Sequence, residues 1–435
     1  MSSIRSFERG GIRIRDDRET DQPLPIANAF LPNSAVVLLK QHAGAPARCI
    51  VRRGEFVREG MVIGRGEGRG SSNIHAPVPG VVRDIRRVPL AEGGETEAVV
   101  IALEGSFDRL GRRMERYVWK GMSRGDVLRT IKDRGVVDVE VPGQPLFDLL
   151  SDRESGGLLI LNGVESEPYL RTEASLIRER ALEIFDGLAL LAKVLAPSRT
   201  VVAVDESCPT EGLISAAGTE TPPEIIRLKT RYPQDMRNQL LEAIVGAKRK
   251  SSASALIIRP STAMALHEAV VLAKPMMERY VTVSGGAIKR PAVLKVRIGT
   301  PVGDLIEECG GFLGPPARIV LGGPIRGFSV HDLDAPVTKT SSAVIALSER
   351  EVGRLRRGPC IRCGRCAEVC PERLDPERLF RLITNRRYDE AQAWRLHDCT
   401  LCGSCGYICP ARVPLVAAFA TRLGELPSAN REAGR

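Results

Sequence analysis

The chain has 435 residues, 43% of them hydrophobic and 27% charged. That is chain for about three domains with real apolar cores, and it excludes disorder or a collagen-like repeat as a description of the whole. Aromatics make up only 4%, which argues against a stacking platform for single-stranded nucleic acid, and the net charge of +10 comes from basic residues, mostly Arg, spread along the whole length.

No stretch approaches the roughly 18 uninterrupted apolar residues of a membrane-spanning helix. Met1 to Asp17 is charged throughout and lacks an apolar core, so no secretory signal is expected. The expectation is a cytoplasmic protein whose contact with a membrane goes through partners or through its basic surface.

Residues 1–30 are polar, with Pro23 and Pro25, and read as an extended arm. Residues 31–112 read as all-β. Short apolar runs from Val36 to Leu103 alternate with Gly and Pro punctuation about every ten residues. Within them, Gly54 to Ile63 and His75 to Val82 resemble the barrel-sandwich hybrid of biotinyl and lipoyl carriers. A carrier needs a Lys at a hairpin tip, and none stands between Lys40 and Lys120. The resemblance is therefore one of fold. The glycine-rich stretch Gly64 to Gly70 lies between strands and reads as a hairpin loop, not a phosphate cradle.

Residues 113–275 alternate strand and helix, the pattern of a parallel, Rossmann-like α/β sheet. Strands are predicted at Gly157 to Leu161, Val201 to Val204 and Leu256 to Ile258, and helices at Ala174 to Leu195, Met236 to Val245 and Ala263 to Leu272. Residues 276–342 form a small α+β unit, with strands at Arg279 to Ser284, Val293 to Ile298 and Ile319 to Leu321 and a helix at Val302 to Cys309. Residues 343–425 are helical around cysteines, with helices at Pro376 to Ile383 and Tyr388 to Leu396. Residues 426–435 read as a frayed tail.

Of the 11 cysteines, Cys49, Cys208 and Cys309 are scattered and read as structural. Cys360, Cys363, Cys366 and Cys370 form C-x2-C-x2-C-x3-C followed by Pro371. Cys399, Cys402, Cys405 and Cys409 repeat that spacing, followed by Pro410. This is the ligand run of a protein with two [4Fe–4S] clusters. Three thiolates on one turning loop reach three corners of a cubane, and the fourth points away to the other cluster. Cys360, Cys363, Cys366 and Cys409 are thus assigned to one cluster, and Cys370, Cys399, Cys402 and Cys405 to the second. Disulfides do not suit a cytoplasmic chain, and zinc sites use pairs of C-x2-C. Gly364 and Gly403, each after the second Cys of its run, allow the backbone to approach a sulfide. The five histidines show no metal-binding spacing.

The order of these motifs resembles the C subunit of the Rnf-type electron-transport complex over nearly the whole chain. The resemblance is carried by Phe7 to Gly11, Gln41 to Pro46, Leu161 to Tyr169, Glu278 to Gly285, Gly322 to Pro324, Val337 to Thr340 and the two cysteine runs. It implies that residues 276–342 are a β-grasp domain of the SLBB type and that 343–425 is a two-cluster ferredoxin domain. It also implies a subunit of an ion-translocating oxidoreductase, not active alone. That subunit takes electrons from NADH, through FMN, into iron–sulfur clusters on the cytoplasmic side of the cell membrane. Its partners are the other subunits, with a ferredoxin or flavodoxin as a further acidic partner. The family's G-x-G-G-A-G-F-P-T loop is here Asp138-Val-Glu-Val-Pro-Gly143-Gln-Pro145-Leu146. Asp138, Glu140 and Val141 add side chains, and two of them add negative charge, where glycines let a phosphate and a flavin ring approach. The residues left for an FMN and NADH site are Gly143, Asn162, Gly163, Glu165, Glu167 and Pro168, with Ser166 in place of the family's Cys. Two alternatives stay open: a soluble flavin-dependent enzyme like the cobalamin reductase of propanediol utilisation, and a non-enzymatic electron relay that has lost its NADH site.

Overall fold

The computed structural model describes residues 4–14, 24–108, 115–140, 143–210, 212–213, 222–247, 254–353 and 357–425. Val141 and the tail 426–435 lie outside them. The arm is extended, as expected, but it is paired. Arg5 N–H donates to the Arg227 carbonyl and Lys229 N–H to that of Arg5, both at 2.9 Å, and Ile12 exchanges bonds with Tyr232. Its end, β1 (Ile26–Asn28), enters a sheet of another unit.

The next unit is all-β, with β2 (Ser34–Leu38), β3 (Arg48–Cys49), β4 (Phe56–Val57), β5 (Val62–Arg65), β6 (Ile74–His75), β7 (Gly80–Pro89) and β8 (Glu95–Leu103). They form two sheets, ordered β2-β8-β7-β4 and β3-β5-β6, which close over Val37, Leu39, Ile63, Ile74, Val99 and Ile101. The spacing of turns gave the all-β reading, and the two sheets are the barrel-sandwich that Gly54 to Ile63 and His75 to Val82 resemble. The glycine-rich stretch after β5 is a loop that docks onto the following unit. Gly70 N–H donates to Asp148 at 2.7 Å, and Arg69 pairs with Asp152.

The α/β unit holds α1 (Arg124–Asp133), α2 (Leu146–Ser151), β9 (Leu158–Asn162), α3 (Thr172–Glu179), α4 (Ala181–Leu195), β10 (Arg199–Asp205), β11 (Glu224–Leu228), α5 (Arg237–Val245), β12 (Ala255–Ile258) and α6 (Pro260–Val270). Its sheet is parallel throughout, in the order β11-β10-β9-β12. The helix expected over Ala174 to Leu195 is two helices, because Arg180 leaves helical geometry (φ −131°, ψ 30°) and turns the chain between them. α1, α2 and β11 had no reading in the sequence.

The β-grasp unit contains β13 (Glu278–Ser284), β14 (Ala292–Arg297), α7 (Val302–Glu308), β15 (Arg318–Leu321), β16 (Phe328–Val330) and β17 (Ala343–Leu347). Its sheet runs β1-β14-β13-β17-β15-β16. β17 lies in its centre, parallel to β13 and antiparallel to β15, and all five of its residues are buried. The unit therefore extends past residue 342 to at least Leu347. A short fully apolar run carries no mark of which neighbour it joins.

The last unit is helical, with α8 (Glu349–Val352), α9 (Arg365–Glu368), α10 (Pro376–Thr384), α11 (Tyr388–Ala393), α12 (Ser404–Ile408) and α13 (Leu415–Glu425). α10 starts at Asp375, whose carboxylate accepts from Arg378 N–H at 3.1 Å, with Pro376 in the first turn. Leu379, Leu382, Leu396, Leu415 and Phe419 form its core. Among the described residues no helix is long and apolar enough to cross a membrane.

Candidate metal centres and the crevice of the α/β sheet

The two cysteine runs fold alike. In each, the residue before the second Cys (Arg362, Leu401) and the glycine after it (Gly364, Gly403) have positive φ, as do Arg373 and Arg412 beyond the prolines. The repeated left-handed turns wrap each loop around a hollow, and α9 packs against α12. One hollow is lined by Cys360, Cys363, Cys366 and Cys409. The other is lined by Cys370, Cys399, Cys402 and Cys405. Each thus takes three cysteines of one run and the last of the other. No three His, Cys, Asp or Glu among the described residues converge closely enough for a single metal ion. A cubane spreads its four thiolates over separate iron corners, and two apolar hollows with four sulfurs each fit that donor set.

The walls explain why a metal group is needed there. Leu374, Leu379, Val416 and Phe419 surround the second set, and burial pushes the Cys399 thiol up to about 12 and that of Cys405 further. Burial likewise raises Cys366 and Cys370. Thiolates do not persist in such walls unless cationic iron offsets their charge. Arg362 N–H donates to Cys360 Sγ and Leu374 N–H to Cys370 Sγ, each at 3.4 Å.

The two hollows differ in surroundings. The second is docked inward. The Tyr232 hydroxyl donates to the Cys402 carbonyl, and Asn238 and Gln239 donate to Glu372 at 3.1 and 2.9 Å. Gly10 of the arm packs so closely that a Cβ there would lie 2.7 Å from the Cys370 carbonyl carbon. The first faces outward. Cys360 and Cys363 are exposed, Ile361 is 65% exposed, and Arg357, Arg362, Arg365 and Arg412 are exposed around them.

In the α/β sheet the strand order reverses between β9 and β12. Sheets of this kind take their ligands in the crevice beyond the strand ends at that point. Asn162 ends β9 and Arg259 follows β12 in the adjacent strand. Arg259 pairs with Glu140, reaches Asp235 at 3.1 Å and donates to the Val164 carbonyl at 2.6 Å. Arg326, from the β15–β16 connection, reaches Asp235 and Glu167, each at 2.6 Å. Asn162 donates to Glu140 at 3.2 Å and to the Asp235 carbonyl at 2.9 Å. Ser166 donates to Asp235. Burial opposes the charge on Asp235, but Arg326 and Arg259 hold its carboxyl down at about 2.

The residues reserved for FMN and NADH have structural duties. Gly143 (φ +78°) lies where a Cβ would come 3.0 Å from the His42 backbone, and its carbonyl accepts from Ala43 N–H at 2.8 Å. It seats the barrel-sandwich on the α/β unit. A Cβ at Gly163 would strike Ile177 of α3. Glu165 accepts from Ala174 N–H at 3.0 Å, and burial, reinforced by Glu173, raises its carboxyl to about 7. Glu167 accepts from Ile325 N–H at 2.8 Å. Pro168 sits in the turn that follows. Asp138 is fully buried and accepts from Thr262 at 2.9 Å. These donors and acceptors are spent within the protein, and the loop that should cradle a flavin phosphate carries the Glu140 carboxylate instead. The residues present do not fit FMN.

Sequence reasoning did not single out Asp235, Arg259, Arg326 or Tyr232. The signal was there for Arg259, a charged residue directly after a fully apolar strand and before the Pro260 that starts a helix. The scattered cysteines lie apart from both hollows. Cys309 is buried behind α7, and Cys49 and Cys208 are half-buried.

Residues 6–106 match the RnfC barrel sandwich hybrid domain, 135–264 the Nuo51 FMN-binding domain, 280–329 the SLBB domain and 354–410 the 4Fe-4S dicluster domain. The chain is 32% identical over 397 residues to the C subunit of the proton-translocating ferredoxin:NAD(+) oxidoreductase complex of Clostridium ljungdahlii, covering 89% of this chain and 87% of that one. It is 35% identical over 438 residues to the C subunit of the ion-translocating oxidoreductase complex of Rhodobacter capsulatus, covering 97% and 84%. The same subunit of Pseudomonas aeruginosa is 35% identical over 437 residues, but this chain spans only 56% of its length. The sheet orders, the paired cysteine hollows and these likenesses agree, and the chain belongs to the RnfC family, the C subunits of Rnf-type ion-translocating oxidoreductase complexes.

Proposed function

We propose that this chain relays electrons as the peripheral subunit of a membrane-bound, ion-translocating oxidoreductase, on the cytoplasmic face. Cys360, Cys363, Cys366 and Cys409 hold one [4Fe–4S] cluster, and Cys370, Cys399, Cys402 and Cys405 hold the second. The observation that carries this reading is the make-up of the two hollows, each with three cysteines of one run and the last of the other. Bound there, each cluster supplies a one-electron site. The protein holds the thiolates, keeps water from the second set with Leu374, Leu379 and Phe419, and leaves the first set at the surface. The exposed arginines around Cys360 and Cys363 suit an acidic partner, whether another subunit or a ferredoxin- or flavodoxin-type carrier.

The test is anaerobic purification from membranes of the native host. About eight irons per chain are expected, with the coupled electron paramagnetic resonance (EPR) spectrum of two reduced clusters after dithionite. Integral membrane subunits should accompany the chain at low salt and fall away at high salt. Iron for less than one cluster, or a chain that never sediments with membrane proteins, would sink the reading.

A further inference from the structure

The crevice at the strand reversal is filled from within. Glu140, Arg259, Asp235, Arg326 and Glu167 form one continuous ladder of ion pairs. The carboxylate side chains are 9%, 2% and 3% exposed for Glu140, Asp235 and Glu167. Three carboxylates face two guanidiniums, so the ladder carries a formal charge of −1. A flavin mononucleotide brings a phosphate dianion. To enter, it would have to displace Glu140 from Arg259, leave that carboxylate buried without its cation, and set its own charge beside it. Each step is costly where water is excluded.

The backbone adds a second barrier. Asp138 N–H is closed onto the Gln144 carbonyl at 2.7 Å and Gly143 N–H onto the Asp138 carbonyl at 3.0 Å. Val139 N–H likewise donates to the Thr262 hydroxyl at 3.3 Å, so these three amides are turned into the protein. Asn162 is fully buried, with its amide on Glu140 and Asp235.

We propose that this chain has replaced a flavin nucleotide with its own ion-pair ladder. It does not bind FMN and does not oxidise NADH. It takes electrons one at a time from a reduced redox protein, which is oxidised by one electron for each cluster reduced. The proposal rests on the two-cluster relay reading.

The experiment uses the full chain, purified anaerobically with both clusters loaded, as judged by EPR after dithionite. That readout tests the relay reading by itself. FMN is then titrated at micromolar concentration and followed by quenching of flavin fluorescence and by equilibrium dialysis. NADH is added with and without FMN while cluster absorbance is recorded. In parallel, thermal unfolding is compared for wild type and Glu140→Gln. The expected result is no FMN retention, no bleaching by NADH in either case, full bleaching by dithionite, and a lowered melting temperature for E140Q. Stoichiometric FMN binding, FMN-dependent bleaching by NADH, or an unchanged melting temperature in E140Q would each overturn it.

Discussion

At the scale of single residues, the last cysteine of each run is the informative one. Cys409 closes the second run, four positions after Cys405, yet it lines the hollow of Cys360, Cys363 and Cys366. Cys370 crosses in the other direction. Replacing Cys409 with Ser should therefore damage the cluster of the first run and spare that of the second, although Cys409 sits in the second. Iron content should fall from about eight to about four per chain. The spin-coupled EPR signal of the reduced protein should collapse to that of one isolated cluster. A Cys405→Ser variant should lose the other cluster, so the two variants should show different residual spectra. Identical residual spectra would mean that each run holds its own cluster.

At the scale of elements, the strand–helix alternation and the turn spacing were legible because each unit buries one face of a regular element. Joints between units were not. β17 reads as an apolar run beside the cysteine domain, and only its partners β13 and β15 place it in the β-grasp sheet. The break at Arg180 hides inside continuous helical spacing. The grouping of the cysteines was legible, since ligand spacing is local, whereas the walls of the hollows and the ladder in the crevice were not. The ladder's members come from the loop before α2, the loop after β9, the end of β12, the segment before α5 and the β15–β16 connection. That connection meets the ladder through the Arg326 side chain and through Ile325 N–H, which donates to Glu167. Arg326→Met removes the cation that serves both Asp235 and Glu167 and leaves two nearly buried carboxylates undercompensated. A loss on the order of 3 kcal/mol in unfolding free energy is expected by urea denaturation, against little change for a surface Arg such as Arg86. A loss of a few tenths would mean that the ladder is solvated.

At the scale of the whole molecule, three units meet at Lys339. Its backbone N–H donates to Gln41 of the barrel-sandwich at 2.8 Å, and its ammonium group reaches the carbonyls of Asn73 at 2.7 Å and of Gly135 at 2.6 Å. Gly135 belongs to the α/β unit, and Lys339 lies in the turn between β16 and β17 of the β-grasp unit. The side chain is buried without a carboxylate partner among its hydrogen bonds, and burial lowers its pKa from 10.5 to about 7. Two carbonyls need only two N–H donors, which a neutral amine supplies. His75 beside it is likewise held neutral, down at about 3, by burial and then by the Lys339 charge. The consequence for stability has a definite sign. Between pH 7 and 10.5 the unfolded chain keeps a proton on this lysine that the folded chain has released, so stability rises with pH across that window. Below pH 7 both states are protonated and the full burial penalty remains. The contribution amounts to about 1.4 kcal/mol per pH unit while the difference of one proton lasts. Unfolding free energies of wild type and Lys339→Met, measured at several values between pH 7 and pH 10, should diverge in slope, with the wild type gaining more as pH rises. The variant starts lower, because the Asn73 and Gly135 carbonyls lose their donors. Parallel slopes would show that Lys339 keeps its proton in the fold, and the joint between the three units would then have to contain an anion to hold it.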